Sequence, residues 1–226
     1  MTRAGFVAVV GAPNAGKSTL VNRLVGAKVS IVTQKVQTTR FPVRGVAMAG
    51  DAQIVLVDTP GIFKPRRRLD RSMVRAAWSG AEDADVVAHL VDAAAEAADP
   101  PSPADRMSVQ DRETITQGLK AAGRQAILVL NKVDLVRREK LLGISQSLFE
   151  TGAYSEVFMI SAETGSGVQD LRRRLAELMP PGPWLYPEDQ AADLPMRLLA
   201  AEITREKLYL RLHQELPYAA AVWSSG

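Results

Sequence analysis

Gly11-Ala-Pro-Asn-Ala-Gly16-Lys17-Ser18 fits the pattern G-x-x-x-x-G-K-[ST], the P-loop that cradles phosphates. It directly follows Phe6-Val7-Ala8-Val9-Val10, an apolar, β-branched run that reads as a buried strand. It opens a helical pattern from Ser18 to Val25. Strand, glycine loop and helix form the context in which the pattern has physical meaning. Glycines let backbone N–H groups turn inward round a polyphosphate, and a helix N-terminus adds partial positive charge. Lys17 can reach the β- and γ-phosphates, and the Ser18 hydroxyl can ligate Mg²⁺. The motif leaves the base and the reaction open.

Working outward, 226 residues suffice for one α/β domain plus a small extra element, and 46 % apolar content allows a sizeable core. The chain has no cysteine, which excludes disulfides and thiolate metal sites and fits a reducing compartment. It has no long uncharged apolar run, so no transmembrane helix is expected. Met1-Thr-Arg-Ala passes straight into the first strand with no signal-peptide pattern. These readings predict a soluble cytoplasmic protein. Residues 180–226 carry four Lys/Arg and six Asp/Glu, a net −2, which leaves +5 for the remainder of a chain of net charge +3. The densest basic run is Lys64-Pro-Arg66-Arg67-Arg68, with Arg71 and Arg75 beyond it. It is either a solvated face or a phosphate-contacting patch.

Apolar runs alternate with helical patterns along the chain. Strands are expected at Phe6–Val10, Pro42–Met48, Gln53–Val57, Val86–Val91, Ala126–Leu130 and Val157–Ile160. Helices are expected at 17–26, 70–81, 111–122, 137–149 and 167–179, and Ala93 to Ser108 reads as a loop. Continuous apolar strands separated by helices indicate a mostly parallel sheet covered on both faces. Ligands bind such sheets beyond the C-terminal ends of the strands. Asp58, Asn131, Asp134 and Ser161 stand at or just past those ends. Pro180-Pro-Gly-Pro183 marks a domain boundary, beyond which Met196 to His213 again has helical period.

Asp58-Thr-Pro-Gly61 alone also reads as a turn. In order after a P-loop, its carboxylate suits water-mediated Mg²⁺ and the Gly61 N–H suits a γ-phosphate. Asn131-Lys-Val-Asp134 sets the base. A carboxylate at Asp134 accepts from N1–H and the 2-amino group of guanine, and adenine offers neither donor. Sites built on such bonds reject the analogue lacking them by as much as ~10⁴-fold. Asn131 would brace the neighbouring loops, and the Lys132 stem would cover one face of the base. Ser161-Ala-Glu163 completes the pocket, with the Ala162 N–H expected on guanine O6. Thr38 and Thr39 precede the second strand. One of them, Thr39 ahead of Thr38, binds Mg²⁺ in the GTP state, or both are ordinary loop threonines. His89 is expected in the core, His213 at an exposed helix end, and Trp78, Trp184 and Trp223 only in packing.

Together Gly11–Ser18, Thr39, Asp58–Gly61, Asn131–Asp134 and Ser161–Glu163 resemble the small GTPases of the translation-factor class. A finer resemblance is to the Era family, bacterial ribosome-assembly GTPases. It is carried by Ser30-Ile-Val-Thr-Gln-Lys-Val-Gln-Thr-Thr-Arg40, Asp58-Thr-Pro-Gly-Ile62, Ala201-Glu-Ile-Thr-Arg-Glu-Lys207 and Glu215-Leu-Pro-Tyr218. It runs over essentially the whole chain. The resemblance implies an α/β, three-layer P-loop GTPase fold with a mostly parallel six-stranded sheet at 1–179, a linker at 180–195, and the incomplete start of a KH-type α+β element at 196–226. It implies GTP and GDP as ligands, Mg²⁺ as cofactor, and 16S rRNA and the 30S subunit as partners. It implies no DNA, and it allows peripheral contact with the inner membrane. A KH domain clamps RNA with a G-x-x-G loop. No G-x-x-G occurs in this chain, so the expectation is a chain that stops inside that domain, with RNA binding weakened or lost.

The resemblance also implies a mechanism of positioning and electrostatics. Ser18 and Thr39 hold Mg²⁺, with Asp58 behind a water. Ile62 stands where many GTPases carry a glutamine that orients the attacking water, so slow turnover is expected. K⁺ held partly by Asn14 would supply the missing positive charge. The candidate catalytic set is then Lys17, Asn14, Thr39 and Gly61. The nucleotide set runs through Gly11, Ala12, Pro13, Asn14, Ala15, Gly16, Lys17, Ser18 and Thr19. It continues in Asp58, Thr59, Pro60 and Gly61, in Asn131, Lys132 and Asp134, and in Ser161, Ala162 and Glu163. The switch segments would be 29–42 and 58–80, with the basic run inside the second. One competing reading is a nucleotide-dependent binding module with negligible hydrolysis. Another is a GTPase of tRNA modification or large-subunit assembly, against which Glu215-Leu-Pro-Tyr218 after a linker argues.

Overall fold

The computed structural model describes residues 1–27, 43–58 and 84–188. Six strands, β1 (Arg3–Gly11), β2 (Val43–Ala49), β3 (Ala52–Asp58), β4 (Val86–Asp92), β5 (Ala126–Asn131) and β6 (Tyr154–Met159), form one sheet in the order β2-β3-β1-β4-β5-β6. Every pairing is parallel except β2 with β3. That pair is joined only by Gly50 and Asp51, and Gly50 has φ 60. So short a connection can only return a strand antiparallel, and the positive φ is the conformation such turns need.

Alternation along β1 sends its side chains to two separate cores. Val7 and Val9 pack with Leu20, Val21 and Leu24 of helix α1 (Lys17–Val25) and with Leu171 and Leu175 of helix α5 (Val168–Leu178). Ala8 and Val10 pack with Ile115 and Leu119 of helix α3 (Pro103–Ala121) and with Leu141 and Leu148 of helix α4 (Arg138–Phe149). Each buried leucine contributes about 2 kcal/mol of transfer free energy. The result is three layers, helices on both faces of a largely parallel sheet, as the apolar strands predict. Among the described residues no helix is long and apolar enough to cross a membrane.

Two expectations need correction. Ala93 to Ser108 is not a loop. Helix α2 (Ala93–Ala97) follows β4 at once, with Asp92 Oδ1 accepting from the amides of Ala94 and Ala95 at 3.0 and 3.2 Å. Helix α3 then starts at Pro103, eight residues before the expected 111, because Ser102 and Asp105 cap it reciprocally. The last strand, expected at Val157–Ile160, runs from Tyr154 to Met159 instead. Tyr154 is buried as a core residue would be, and the polar Ser155 and Glu156 hide the pattern. Glu156 is held by Arg174 of α5 at 2.6–3.0 Å, a contact that pulls its carboxyl below the usual carboxylate range.

Part of the expected linker is fastened to the domain. The Ala4 amide donates to Pro180 O at 3.1 Å and the Gly182 amide to Thr2 O at 3.1 Å. Buried Gln53 accepts from the amides of Leu185 and Tyr186 at 2.8 and 2.9 Å, and donates to Tyr186 O at 2.8 Å. The helix expected at 70–81, the basic run, both threonines 38 and 39, and the segment 196–226 lie outside the described residues.

Candidate functional site

The C-terminal ends of the parallel strands gather the site. β1 ends at Gly11 beside Leu90 of β4, and β3 places Asp58 beside Val9 of β1. The chain leaves β1 to build α1, β2 and β3 on one side and resumes at β4 on the other. The P-loop therefore emerges at the point where the strand order switches direction, the crevice where such sheets bind ligands.

The loop's glycines are required by its surroundings. A Cβ on Gly11 would stand 2.4 Å from Leu90 O. Gly16 has φ 100, and a Cβ there would stand 2.3 Å from Asn131 Nδ2. Asn14, at φ 62, is the loop's other left-handed residue, and its side chain is exposed. Lys17 is buried, and its Nζ donates to Gly11 O at 3.0 Å and Ala12 O at 2.9 Å. The loop thus wraps its own ammonium group. Ser18 and Thr19 follow, half-buried, in the first turn of α1.

Asn131 joins the two halves of the site. Its Nδ2 donates to Ala15 O in the P-loop at 2.8 Å, and its Oδ1 accepts from the Ala162 amide at 2.9 Å. Residues 15, 131 and 162 are thereby locked into one rigid unit. The Ala162 N–H, expected on guanine O6, donates to Asn131 in this structure. Ser161 is fully buried, and its Oγ accepts from the Thr164 amide at 3.2 Å. Beyond Asn131 the chain turns through Lys132, at φ 64, into a single 3-10 turn at Val133–Leu135. That turn exposes the Asp134 carboxylate, which has no hydrogen-bond partner among the described residues.

Two residues that the sequence reading did not select also build the site. Asp92, at the end of β4 and directly beside Asn131 in register, caps α2 with one carboxylate oxygen. With the other it holds Lys132 Nζ at 2.5 Å. Its place at a strand's C-terminal end was a usable signal. Arg23 of α1 donates from Nε to Ala162 O at 3.1 Å and from a terminal nitrogen to Glu163 O. Nothing in the sequence announces a contact across that distance.

Thr39, Thr59, Pro60, Gly61 and Ile62 lie outside the described residues, as does the Asp58 side chain. The hydroxyl of Ser18 and the carboxylate expected from Asp58 are hard oxygen donors that suit Mg²⁺. Among the described residues no cluster of three or more His, Cys, Asp or Glu could hold a metal. The donor set therefore fits a cation that takes its other ligands from phosphate oxygens and water.

A phosphate loop on a switch-point sheet, braced to a turn with an exposed aspartate, defines a P-loop GTPase. The family model described as 50S ribosome-binding GTPase matches residues 6–132. GTPase Era of Caulobacter vibrioides is 69 % identical over 224 residues, which cover 98 % of this chain and 71 % of that protein. A crystal structure of Era in complex with MgGDPNP and nucleotides 1506–1542 of 16S ribosomal RNA is similar with a TM-score of 0.83 at 38 % identity, over 96 % of this chain and 70 % of that one. Aquifex aeolicus Era bound to GDP and AlF4⁻, a point variant, is similar with a TM-score of 0.81 at 39 % identity, again over 96 % and 70 %. The chain belongs to the Era family of GTPases.

Proposed function

We propose that this chain binds GTP with Mg²⁺, hydrolyses it slowly to GDP and phosphate, and acts thereby as a switch in assembly of the small ribosomal subunit. The Asn131 bridge carries the reading, because it sets a base-selecting aspartate at a fixed distance from a phosphate cradle. The P-loop amides and the Lys17 ammonium bind the polyphosphate and neutralise charge that moves onto the leaving oxygens. Ser18, Thr39 and Asp58 would hold Mg²⁺, which would offset the negative charge of the phosphates. Asp134 selects guanine. The Gly61 N–H would meet the γ-phosphate, and Ile62 offers no polar group to orient water. The exposed carboxamide of Asn14, on a left-handed residue at the loop's apex, supports a role as part of a K⁺ site.

The assembly role rests on family membership and on the related Era structure that holds 16S rRNA nucleotides. By family resemblance we take the place of action as the cytoplasm, with peripheral contact at the inner membrane allowed, and 16S rRNA as the partner, bound more weakly or not at all by this chain, which has no G-x-x-G. Single-turnover hydrolysis of GTP and ATP by the wild type and by Lys17→Ala tests the chemistry. GTP should be hydrolysed, ATP should not, and Lys17→Ala should lose at least about tenfold in rate. Equal rates for variant and wild type would leave only a nucleotide-binding module. Replacing K⁺ by Na⁺ should slow the wild type, and equal rates in both salts would remove Asn14 from the catalytic set.

A further inference from the structure

Arg23 points its guanidinium at the loop that completes the base pocket. It lies on α1, six residues on from Lys17, yet among the described residues it contacts neither the P-loop nor any carboxylate. Its donors go to two consecutive carbonyls, Ala162 O at 3.1 Å and Glu163 O. A cation spent wholly on backbone oxygens is placed to fix those peptides.

The amides of the same loop are almost all consumed. Ser161 N–H donates to Ser166 O at 3.0 Å, Ala162 N–H to Asn131 Oδ1 at 2.9 Å, Thr164 N–H to Ser161 Oγ at 3.2 Å and Gly165 N–H to Ser161 O at 2.8 Å. Glu163 N–H is the one without a partner among the described residues. It belongs to the peptide whose carbonyl Arg23 holds. A trans peptide is planar, with N–H antiparallel to C=O, so fixing the carbonyl fixes the direction of the amide. A guanidinium on the carbonyl also polarises the peptide and makes its N–H a stronger donor.

We propose that Arg23 is a positioning residue for the guanine base: it aims and strengthens the Glu163 N–H as the donor to O6, and couples that donor rigidly to the phosphate-binding helix. The proposal rests on the GTPase reading above, and it assigns discrimination at position 6 of the purine to a residue outside every nucleotide motif. Asp134 reads the other edge of the base.

The test compares GDP with 2-aminopurine riboside diphosphate, which keeps the 2-amino group and lacks O6. Affinities are measured by calorimetry for the wild type, Arg23→Ala and Arg23→Lys. Arg23→Ala should weaken GDP about tenfold and the analogue less than about twofold, because only GDP uses the aimed amide. In steady-state hydrolysis KM for GTP should rise about as much, with kcat within about twofold of wild type. Arg23→Lys, with one donor point, should recover part of the GDP affinity. Equal losses for GDP and the analogue would show a merely structural arginine and overturn the proposal, as would an unchanged GDP affinity. If Arg23→Ala does not fold, Arg23→Lys and Arg23→Gln carry the same comparison. A wild type that bound no GDP would overturn the GTPase reading itself, before any variant was made.

Discussion

Asp134 and His89 show opposite uses of a titratable side chain. Asp134 is exposed and, among the described residues, has no partner, so its charge is free for a ligand. An amide in its place offers a donor where guanine also presents donors, at N1 and the 2-amino group. Asp134→Asn should therefore weaken GTP by about 10²-fold or more and improve xanthosine triphosphate, whose 2-oxo group accepts from the new amide. Competition binding with both nucleotides reads the switch, and an unchanged preference for GTP would remove Asp134 from base selection. His89 is buried in β4, as its apolar run predicts. Its Nδ1 meets Tyr154 Oη at 2.9 Å, which meets Thr116 Oγ1 at 2.8 Å, while its buried Nε2 has no partner among the described residues. Burial, helped by the charges of Arg112 and Lys17, pushes its pKa from 6.5 down to about 3. Above pH 6.5 the ring is neutral both folded and unfolded, and stability is unaffected. As pH falls from 6.5 towards 3, the unfolded chain binds a proton that the folded chain refuses, and stability drops by about 1.4 kcal/mol per pH unit. Between pH 7.5 and 4.5 the wild type should thus lose about 3 kcal/mol more than His89→Phe in urea unfolding. Equal losses would mean that the ring is not held neutral.

At the scale of elements, the strands other than the last and the P-loop helix were legible because their residue types leave little choice. Runs such as Phe6–Val10 and Ala126–Leu130 are apolar on both faces, which only a covered parallel strand tolerates. The start of α3 was legible too, but its signal was outweighed by prolines. Ser102-Pro-Ala-Asp105 is a capping box, in which Asp105 N–H donates to Ser102 Oγ at 3.2 Å and Ser102 N–H to Asp105 Oδ2 at 2.8 Å. Pro103 sits at the first helical position, where an N–H has no partner to lose. The same bonds hold the Asp105 carboxyl below its ordinary pKa. Ser102→Ala should cost about 1 kcal/mol in chemical denaturation, and a loss near zero would assign the helix start to packing alone. Helix α2 is held differently. Asp92 caps its start, and Arg112 of α3 holds Glu96 at 2.9 and 3.2 Å with both side chains largely buried. That pair spans 16 residues, and no local pattern encodes it.

At the scale of the molecule, the motifs gave the order of the site, and the sheet gave its geometry. That Asn131 reaches Ala15, 116 residues earlier, follows from β1 and β5 flanking β4, which no single stretch records. Gln53 was readable only as the opening of an apolar strand. In the structure its amide oxygen accepts from residues 185 and 186 and its nitrogen donates to Tyr186 O, which seats them against the domain. Gln53→Ala should leave GTP turnover intact while cleavage by a non-specific protease between Trp184 and Glu188 becomes several-fold faster. Unchanged cleavage would mean that the neighbouring contact of Trp184 Nε1 with Asp51 O, at 3.1 Å, suffices. β3 thus has Gln53 near its start and Asp58 at its end, about 17 Å apart along an extended strand. Paired on both sides, such a strand neither stretches nor buckles easily. The point where the chain leaves the domain and the end that faces the phosphates are thus the two ends of one tie rod.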